Sequence, residues 1–443
     1  MAQSLDHYVA EYENARRTHS IAQPAWLVRA RSDALNRFRA LGFPTTRDEE
    51  WRFTSVAPIA ECAFALGDEA ATDTRRSEVD RFRLPGSLSA EVVFVNGRYI
   101  PALSTFGTLP AGTSIESLAS ALASRAEEIE PYLTRMAAFE RQAFTALNTA
   151  FLTDGVWIHI PARVIVENPI HVLFISSSSG GLATMSHPRV LAVIGQGSQA
   201  SIVESHAGAD DAAYFTNAVT EIMLGENAAL DHYKVQQESP QAYHVGAQHV
   251  VAHRSANCTS HSISLGGSLV RNDVVAVLDG EGAECTLNGL YLADGQRLVD
   301  NHTTIDHAKP HCASREIYKG VLADRARGVF NGKIIVRPDA QKTDAKQTNR
   351  ALLLSEDAQI NTKPQLEIFA NDVKCTHGAA VGQLDDEAVF YLRSRGLAEP
   401  EARRLLIHAF AADVLNRIPL ESVRAGAEQV LQQRLARVLA TAA

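Results

Sequence analysis

The chain has 443 residues, 46% of them hydrophobic and 21% charged, enough to bury a large core spread over about two or three domains. Its formal net charge of -9 argues against nucleic acid as a partner, because phosphate recognition needs a basic field. No apolar run approaches the roughly 20 residues of a membrane span, and Met1 to His7 lack the basic and apolar parts of a signal peptide, so the expected compartment is the cytoplasm and no membrane is involved.

Taken in chain order, apolar residues recur at helical spacing from Ala22 to Leu41, and Gly42-Phe43-Pro44 closes that helix. Val92 to Val95 before Asn96-Gly97 read as a β-hairpin. A second helical pattern covers about Ala123 to Ala150 and leads to a turn at Asp154-Gly155. Past Gly155 the texture changes to short β-branched runs split by Gly, Asn and Asp, continuing to about Val381. Ala200, Ala228, Ala256, Ala283, Ala313 and Ala340 mark this stretch at intervals of 28, 28, 27, 30 and 27 residues. That period suggests a solenoid of stacked coils, each burying its apolar face against its neighbours. The second residue after each of the first four marks is Ile202, Leu230, Cys258 or Cys285, an interior column in which both cysteines are small hydrophobes; it fails at Arg315 and Lys342. Beyond Asp385 the chain returns to helix, with Gly396 at a helix end, Pro400 opening the next helix, Pro419 ending it, and a last helix over about Glu421 to Leu439. The expected division is 1–154 as an N-terminal helical region with a small hairpin, 155–384 as the solenoid core, and 385–443 as a C-terminal helical domain.

Five widely spaced cysteines without any Cys-x-x-Cys suggest reduced thiols, with neither a disulfide framework nor a zinc ribbon. Gly328 to Lys333 is too short for a phosphate-binding loop and lacks the following Ser or Thr, and Gly195-Gln196-Gly197 lacks a third glycine, so no ATP site belongs to this chain. His302, His307, His311 and Cys312, with Asp306 among them, have the residue types of a metal site, but Pro310 prevents regular spacing. Polar coil surface, an interface network and a metal site all remain open for them. Between Asp306 and Arg350, ten basic residues face five acidic ones, read as solvated coil edges or as a face for an acidic partner. Cys375 and His377 are soft ligands that an extended segment points to one side. Alone, such a pair reads first as a buried structural pair and only second as a ligand pair for iron and sulfide.

The surroundings of that pair are more specific. Asn371-Asp372-Val373-Lys374-Cys375-Thr376-His377-Gly378-Ala379, with Phe390 to Gly396 behind it and the runs 299–307, 318–322, 328–334, 339–349 and 361–368 ahead of it, resembles the SufB/SufD family of iron-sulfur cluster assembly scaffolds, and within it the SufD branch. The resemblance is dense from about Asp300 to Gly396, with weaker similarity at Phe43-Pro44-Thr45, Trp51, Val95 to Arg98 and Ala146-Leu147-Asn148. It implies a mainly β fold, a right-handed parallel β-helix between helical ends. It implies a non-enzymatic scaffold subunit that pairs with a SufB scaffold and binds the SufC ATPase, which alone hydrolyses ATP; a homodimer of the isolated protein is left open. His377 would then sit at the SufB interface as a transient ligand of a nascent cluster, with Cys375 as the less certain second ligand. Tyr391, Arg393, Arg395, Leu406, Phe410 and Val414 would supply the SufC contact, through aromatic, arginine and aliphatic anchors of the kind that dominate interfaces. A flavin belongs to the family's complex only, and this chain has no flavin motif. A SufB-like paralogue is the alternative within the family; a β-helical carbohydrate-active enzyme or a stand-alone His/Cys metalloprotein are those outside it.

Overall fold

Strands rich in β-branched residues recur from Val156 onward, and from Tyr214–Leu224 to Asp344–Leu353 each pairs in parallel with the strand two places before and after it in the chain. That pairing winds the chain into a parallel β-solenoid of about seven turns. The computed structural model describes residues 2–18, 23–67, 76–177, 183–208 and 212–441. The first sheet stacks Ile170–Ser176, Gln199–Gly208, Ala229–Gln237, Asn257–Ser264, Glu284–Ala293, Ala313–Leu322, Asp344–Leu353 and Lys374–Gly382. The second stacks Val156–Ile160, Arg189–Ile194, Tyr214–Leu224, Tyr243–Ala252, Leu269–Leu278, Leu298–His307, Arg327–Val336 and Gln359–Ile368. Because side chains alternate along a strand, each coil sends one set inward to meet the opposite sheet and one set outward.

The inward column containing the cysteines runs Ala200, Leu230, Cys258, Cys285, Ser314, Ala345 and Cys375. Leu230, Cys258 and Cys285 stand where the alanine marks put them. Ile202 does not: it pairs with His232, two residues along, because that coil is longer than the marks imply. Nor does the pattern fail later. Cys312 and Thr343, not Ala313 and Ala340, occupy the place of Ala283, so Ser314 and Ala345 continue the column and Arg315 and Lys342 lie off it. Coil length varies in the turns, and a sequence period cannot see which turn took the extra residue.

Two coils are keyed to each other. A Cβ at Gly289 would lie 2.1 Å from the Tyr318 ring, and one at Gly320 would lie 2.3 Å from the Tyr291 ring. Gly289 pairs with Tyr318 and Tyr291 with Gly320, so each coil offers one notch and one ring to the other.

At its beginning the solenoid is covered. Ala90–Val95 pairs in parallel with Ile170–Ser176 and forms the expected hairpin with Arg98–Tyr99, and Ser114–Ser117 pairs antiparallel with Val156–Ile160. Over this end lie helices α1 (Ala2–Thr18), α2 (Ala25–Leu41), α3 (Ala57–Glu61), α4 (Arg76–Asp80), α5 (Leu118–Ile129) and α6 (Ala143–Ala150). The helix expected to start at Ala22 starts at Ala25 behind Pro24, and Ala22 lies outside the described residues. The single helix expected over Ala123 to Ala150 is two, α5 and α6, because Pro131 cannot continue the first. Tyr8, Phe38, Phe64, Phe144 and Phe151 join these helices to Phe215 and Val245 on the outer face of the second sheet.

After the last coil come α7 (Asp386–Ser394), α8 (Glu399–Leu415) and α9 (Glu421–Thr441). The Asp385 carboxylate accepts the backbone N–H groups of Glu387 and Ala388, capping α7 as its position suggests. The second and third of these helices turn back along the solenoid, burying Ile407, Ala411, Val414, Leu415, Leu431 and Leu435 against Val235, Ile263, Leu290 and Val321 on the outside of the first sheet. Each such Ile, Leu or Val side chain contributes about 1.5–3 kcal/mol of transfer free energy. Lys319 fixes the contact by donating to the Phe410 carbonyl and the Asp413 carboxylate, both at 2.9 Å.

Candidate functional site

The last coil is unlike every coil before it. Gln359–Ile368 and Lys374–Gly382 are the end strands of their sheets, each paired on one side only. Exposed Phe369, Val381 and Ile368 stand at or beside these strands, an apolar rim on open backbone edges. Such edges are templates for further strand pairing unless something blunts them.

Cys375 and His377 lie on this coil, paired with Ala345 and Gln347. Alternation puts both on the inward side. Cys375 is half-buried and packs with Ile334, Val336, Ala340, Ala345 and Leu366, and burial pushes its thiol up from its ordinary value, helped by the nearby Asp344 carboxylate. It is therefore the last member of the column that holds Cys258 and Cys285, exposed in part because no coil follows. His377 is exposed. Below it in the same column come Gln347 and then Glu316, whose carboxylate accepts from Gln347 Nε2 at 2.8 Å. Burial raises the Glu316 carboxyl to about 7 against the pull of hydrogen bonds from Thr303 and Gln347. Sequence reading missed both residues, because the false marks at Ala313 and Ala340 put Arg315 and Lys342 where Ser314 and Ala345 belong.

The histidines further back do not form one site. On the strand Leu298–His307, alternation turns His302 outward and His307 inward. His302 sits between the Asp300 carboxylate at 3.1 Å and that of Glu50 at 3.2 Å, and although burial works against its charge, these carboxylates raise its pKa. His307 hydrogen-bonds Ser314 at 2.9 Å, Cys312 is buried in the core, and His311 lies in the turn between strands. Among the described residues no group of three or more His, Cys, Asp or Glu side chains is arranged so that it could hold a metal ion. His302 instead belongs to a polar lock beneath the segment around Glu50 and Trp51, where Arg271 pairs with Asp300 and lies 4.4 Å from the Trp51 ring centre. The basic excess between Asp306 and Arg350 is mostly paired: Arg315 with Asp344, Lys319 with Asp413, Lys333 with Glu367, Arg337 with Asp306 and Lys342 with Asp372.

The residues expected to bind an ATPase separate into two groups. Tyr391, Arg393 and Arg395 lie exposed on or just after α7, beside Phe390, which is 72% exposed. Arg395 stacks over the Tyr391 ring and Arg393 pairs with Glu399. Val414 is fully buried, and Leu406 and Phe410 are half-buried, Phe410 against the solenoid. The face of α8 expected to meet a partner is, at Val414 and in part at Phe410, the face that holds the helix to its own first sheet.

The sequence that folds in this way has counterparts among known proteins. Residues 174–410 match the family described as SUF system FeS cluster assembly, SufBD core domain, and residues 2–172 match the SufBD protein N-terminal region. The chain belongs to the SufBD family. Among curated SufBD relatives it is 35% identical to an iron-sulfur cluster assembly SufBD family protein of Synechocystis, covering 92% of this chain and 91% of that one. It is 31% identical to the iron-sulfur cluster assembly protein SufD of Escherichia coli, over 98% of this chain and 95% of the relative. SufD of Bacillus subtilis is 27% identical over 93% and 95%. The SUF-system assignment and the β-solenoid expected from the resemblance thus both stand. Among the described residues of this SufBD chain, no helix is long and apolar enough to cross a membrane.

Proposed function

We propose that this chain works as a SufD-type scaffold, pairing through its open coil with a SufB-type solenoid and assembling a nascent iron-sulfur cluster at the seam. The observation that carries the reading is the uncapped last coil bearing Cys375 and His377. Two unpaired edges with an apolar rim offer a homologous solenoid both backbone hydrogen bonds and buried area. His377, exposed on that coil, offers an imidazole lone pair to iron from the seam. Cys375 is the weaker ligand, because its thiolate must form in a half-buried site where burial opposes charge. The cluster is cargo, transient and shared with SufB.

ATP hydrolysis belongs to SufC, docked on the exposed aromatic and arginine surface of α7, with Leu406 at its border. Any flavin enters at the level of the assembled complex. The chain itself is a non-enzymatic subunit of the cytoplasm, and an isolated copy pairs with another through the same open edges. The three parts expected from sequence serve this division: 1–154 closes one end, 155–384 spans, and 385–443 receives the ATPase. SufC dimerisation on ATP would move the two scaffolds relative to one another and expose or close the seam.

The test is co-expression with the SufB and SufC homologues. Expected for His377→Ala is an intact complex by size-exclusion chromatography whose iron and sulfide content collapses, with Cys375→Ala less affected. Normal cluster loading in His377→Ala would overturn the site, and a complex that assembles unchanged after Tyr391→Ala with Phe390→Ala would overturn the docking surface.

A further inference from the structure

The inward column at the open end carries polar side chains on three successive coils, Glu316, Gln347 and His377. Adjacent strands in a sheet lie about 4.8 Å apart, close enough for long side chains in one column to touch. The lower link exists, since Gln347 Nε2 donates to Glu316 Oε2 at 2.8 Å. With its NH2 group committed to the coil below, the planar amide has its carbonyl oxygen left for a different neighbour. That oxygen is buried and has no hydrogen-bond partner, and Gln347 as a whole is only 2% exposed. An unpaired buried carbonyl costs about 1–3 kcal/mol, so the site favours a donor that can reach it.

Space for the amide is provided by the opposite sheet. A Cβ at Gly332 would lie 2.1 Å from Gln347 Nε2 and 2.7 Å from Cδ, so the second sheet has glycine where the side chain crosses the interior. Gln347 is thus held from below by a carboxylate and from the side by a main-chain notch. The next residue in its column is His377, whose ring is exposed and so has more than one staggered rotamer open to it.

We propose that Gln347, oriented by Glu316 and accommodated by Gly332, is the positioning residue for His377: when the ring turns inward, the unpartnered Oε1 accepts one ring N–H, fixing the tautomer and leaving the other nitrogen's lone pair available at the open end. The proposal rests on the reading of His377 as a ligand for its purpose, but not for its existence. A ligating imidazole needs its second nitrogen held by an acceptor, and loss of such an acceptor typically lowers metal affinity about 10–100-fold.

The experiment is 15N NMR of the full chain with labelled histidine, the His377 signals being assigned by their loss in His377→Ala. Expected in the native protein is one dominant His377 tautomer. Gln347→Leu should return the ring to a mixture, whereas Glu316→Gln combined with Gln347→Glu, which exchanges donor and acceptor but keeps an oxygen for the ring, should restore the dominant form. Gly332→Ala, which displaces the amide without removing it, should act like Gln347→Leu and gives the same reading if that variant does not fold. Unchanged His377 shifts in folded Gln347→Leu or Gly332→Ala would overturn the positioning role. In co-expressed complexes Gln347→Leu should reduce cluster content about tenfold. If the tautomer changes and cluster content does not, positioning stands and the ligand reading of His377 falls; the reverse outcome separates them the other way.

Discussion

The two ends of the solenoid are built from the same coil and treat polar groups in opposite ways. Near the closed end, charges and imidazoles are buried in partnered sets. Glu204 accepts from Thr220 and His232, Glu238 from Thr216 and Gln236 with His244 beside it, and His171 bridges Glu91 and Ser205. Outside the second sheet, Glu221 takes three backbone N–H groups from Thr134, Met136 and Ala137 and pairs with Arg189, both carboxylate and guanidinium fully buried. At the open end the column stops at His377 with no coil above it. Leu287, between Ser260 and Glu316 in that column, separates the two polar regions. The difference teaches that one column of the same coils can bury its polar side chains among neighbours near the closed end and leave its last member, His377, exposed at the open end.

Acid should break the closed half most strongly. Burial lowers His171 and His187 to about 3, and His244 and His249 to about 4. Unfolded histidines titrate near 6.5, so between that value and the folded ones the unfolded chain binds the extra protons, and stability is lost as pH falls from 6.5 toward 3. Each ring contributes on the order of 3 kcal/mol before coupling among neighbours. Glu238, lowered to about 2 despite burial by His244 and its hydrogen bonds, adds loss in the same direction as pH falls from the ordinary carboxylate range toward 2. Denaturant midpoints should therefore fall steadily over that window, and a flat profile would contradict the pairing described.

Next in size is Glu221→Ala, which leaves Arg189 buried without its partner and three N–H groups unsatisfied. Loss of about 3–5 kcal/mol is expected in equilibrium unfolding. A loss below about 1 kcal/mol would mean that water reaches this end as readily as the other.

The cysteine column sharpens the comparison within one line of residues. Burial pushes Cys258 up to about 12 and Cys285 well above its ordinary value, whereas Cys375 is half-buried. Native-state alkylation should modify Cys375 at least about a hundredfold faster than Cys258 and Cys285, which need opening of the core. Equal rates would show that the last coil is closed, or the column open. Smallest of all, His377→Ala should change the unfolding free energy of the isolated chain by no more than about 0.5 kcal/mol, as for an exposed residue. A large loss would make His377 structural.

How much of this was legible follows from what each signal measures. β-branched runs and turns gave the solenoid, because strand propensity and coil repetition are local. Leu230, Cys258 and Cys285 fell into register because their coils are of near-equal length. The lock of Arg271, Trp51 and His302 was not legible, since Trp51 and Arg271 are brought together only by the N-terminal segment crossing the sheet. Glu316 and Gln347 were hidden because two successive coils lengthen, from 27 residues between Cys258 and Cys285 to 29 up to Ser314 and 31 up to Ala345, so that the alanine marks fell one residue late and then three early. The stripe Leu406, Phe410 and Val414 was legible as amphipathic, but periodicity does not say whether the covered face meets another protein or the chain's own sheet.

The paired notches and rings of Gly289, Tyr291, Tyr318 and Gly320 bear on how such a rod can evolve. Solenoids lengthen readily by duplicating a coil, since one repeat usually stacks on a copy of itself. Here a copied coil would set Tyr291 against its own duplicate, ring upon ring, and Gly289 against an empty gap. Insertion of one copied coil at this point would lose the fit of notch to ring. The joint between these two coils is thus fitted by shape, and a single coil copied alone would not fit it.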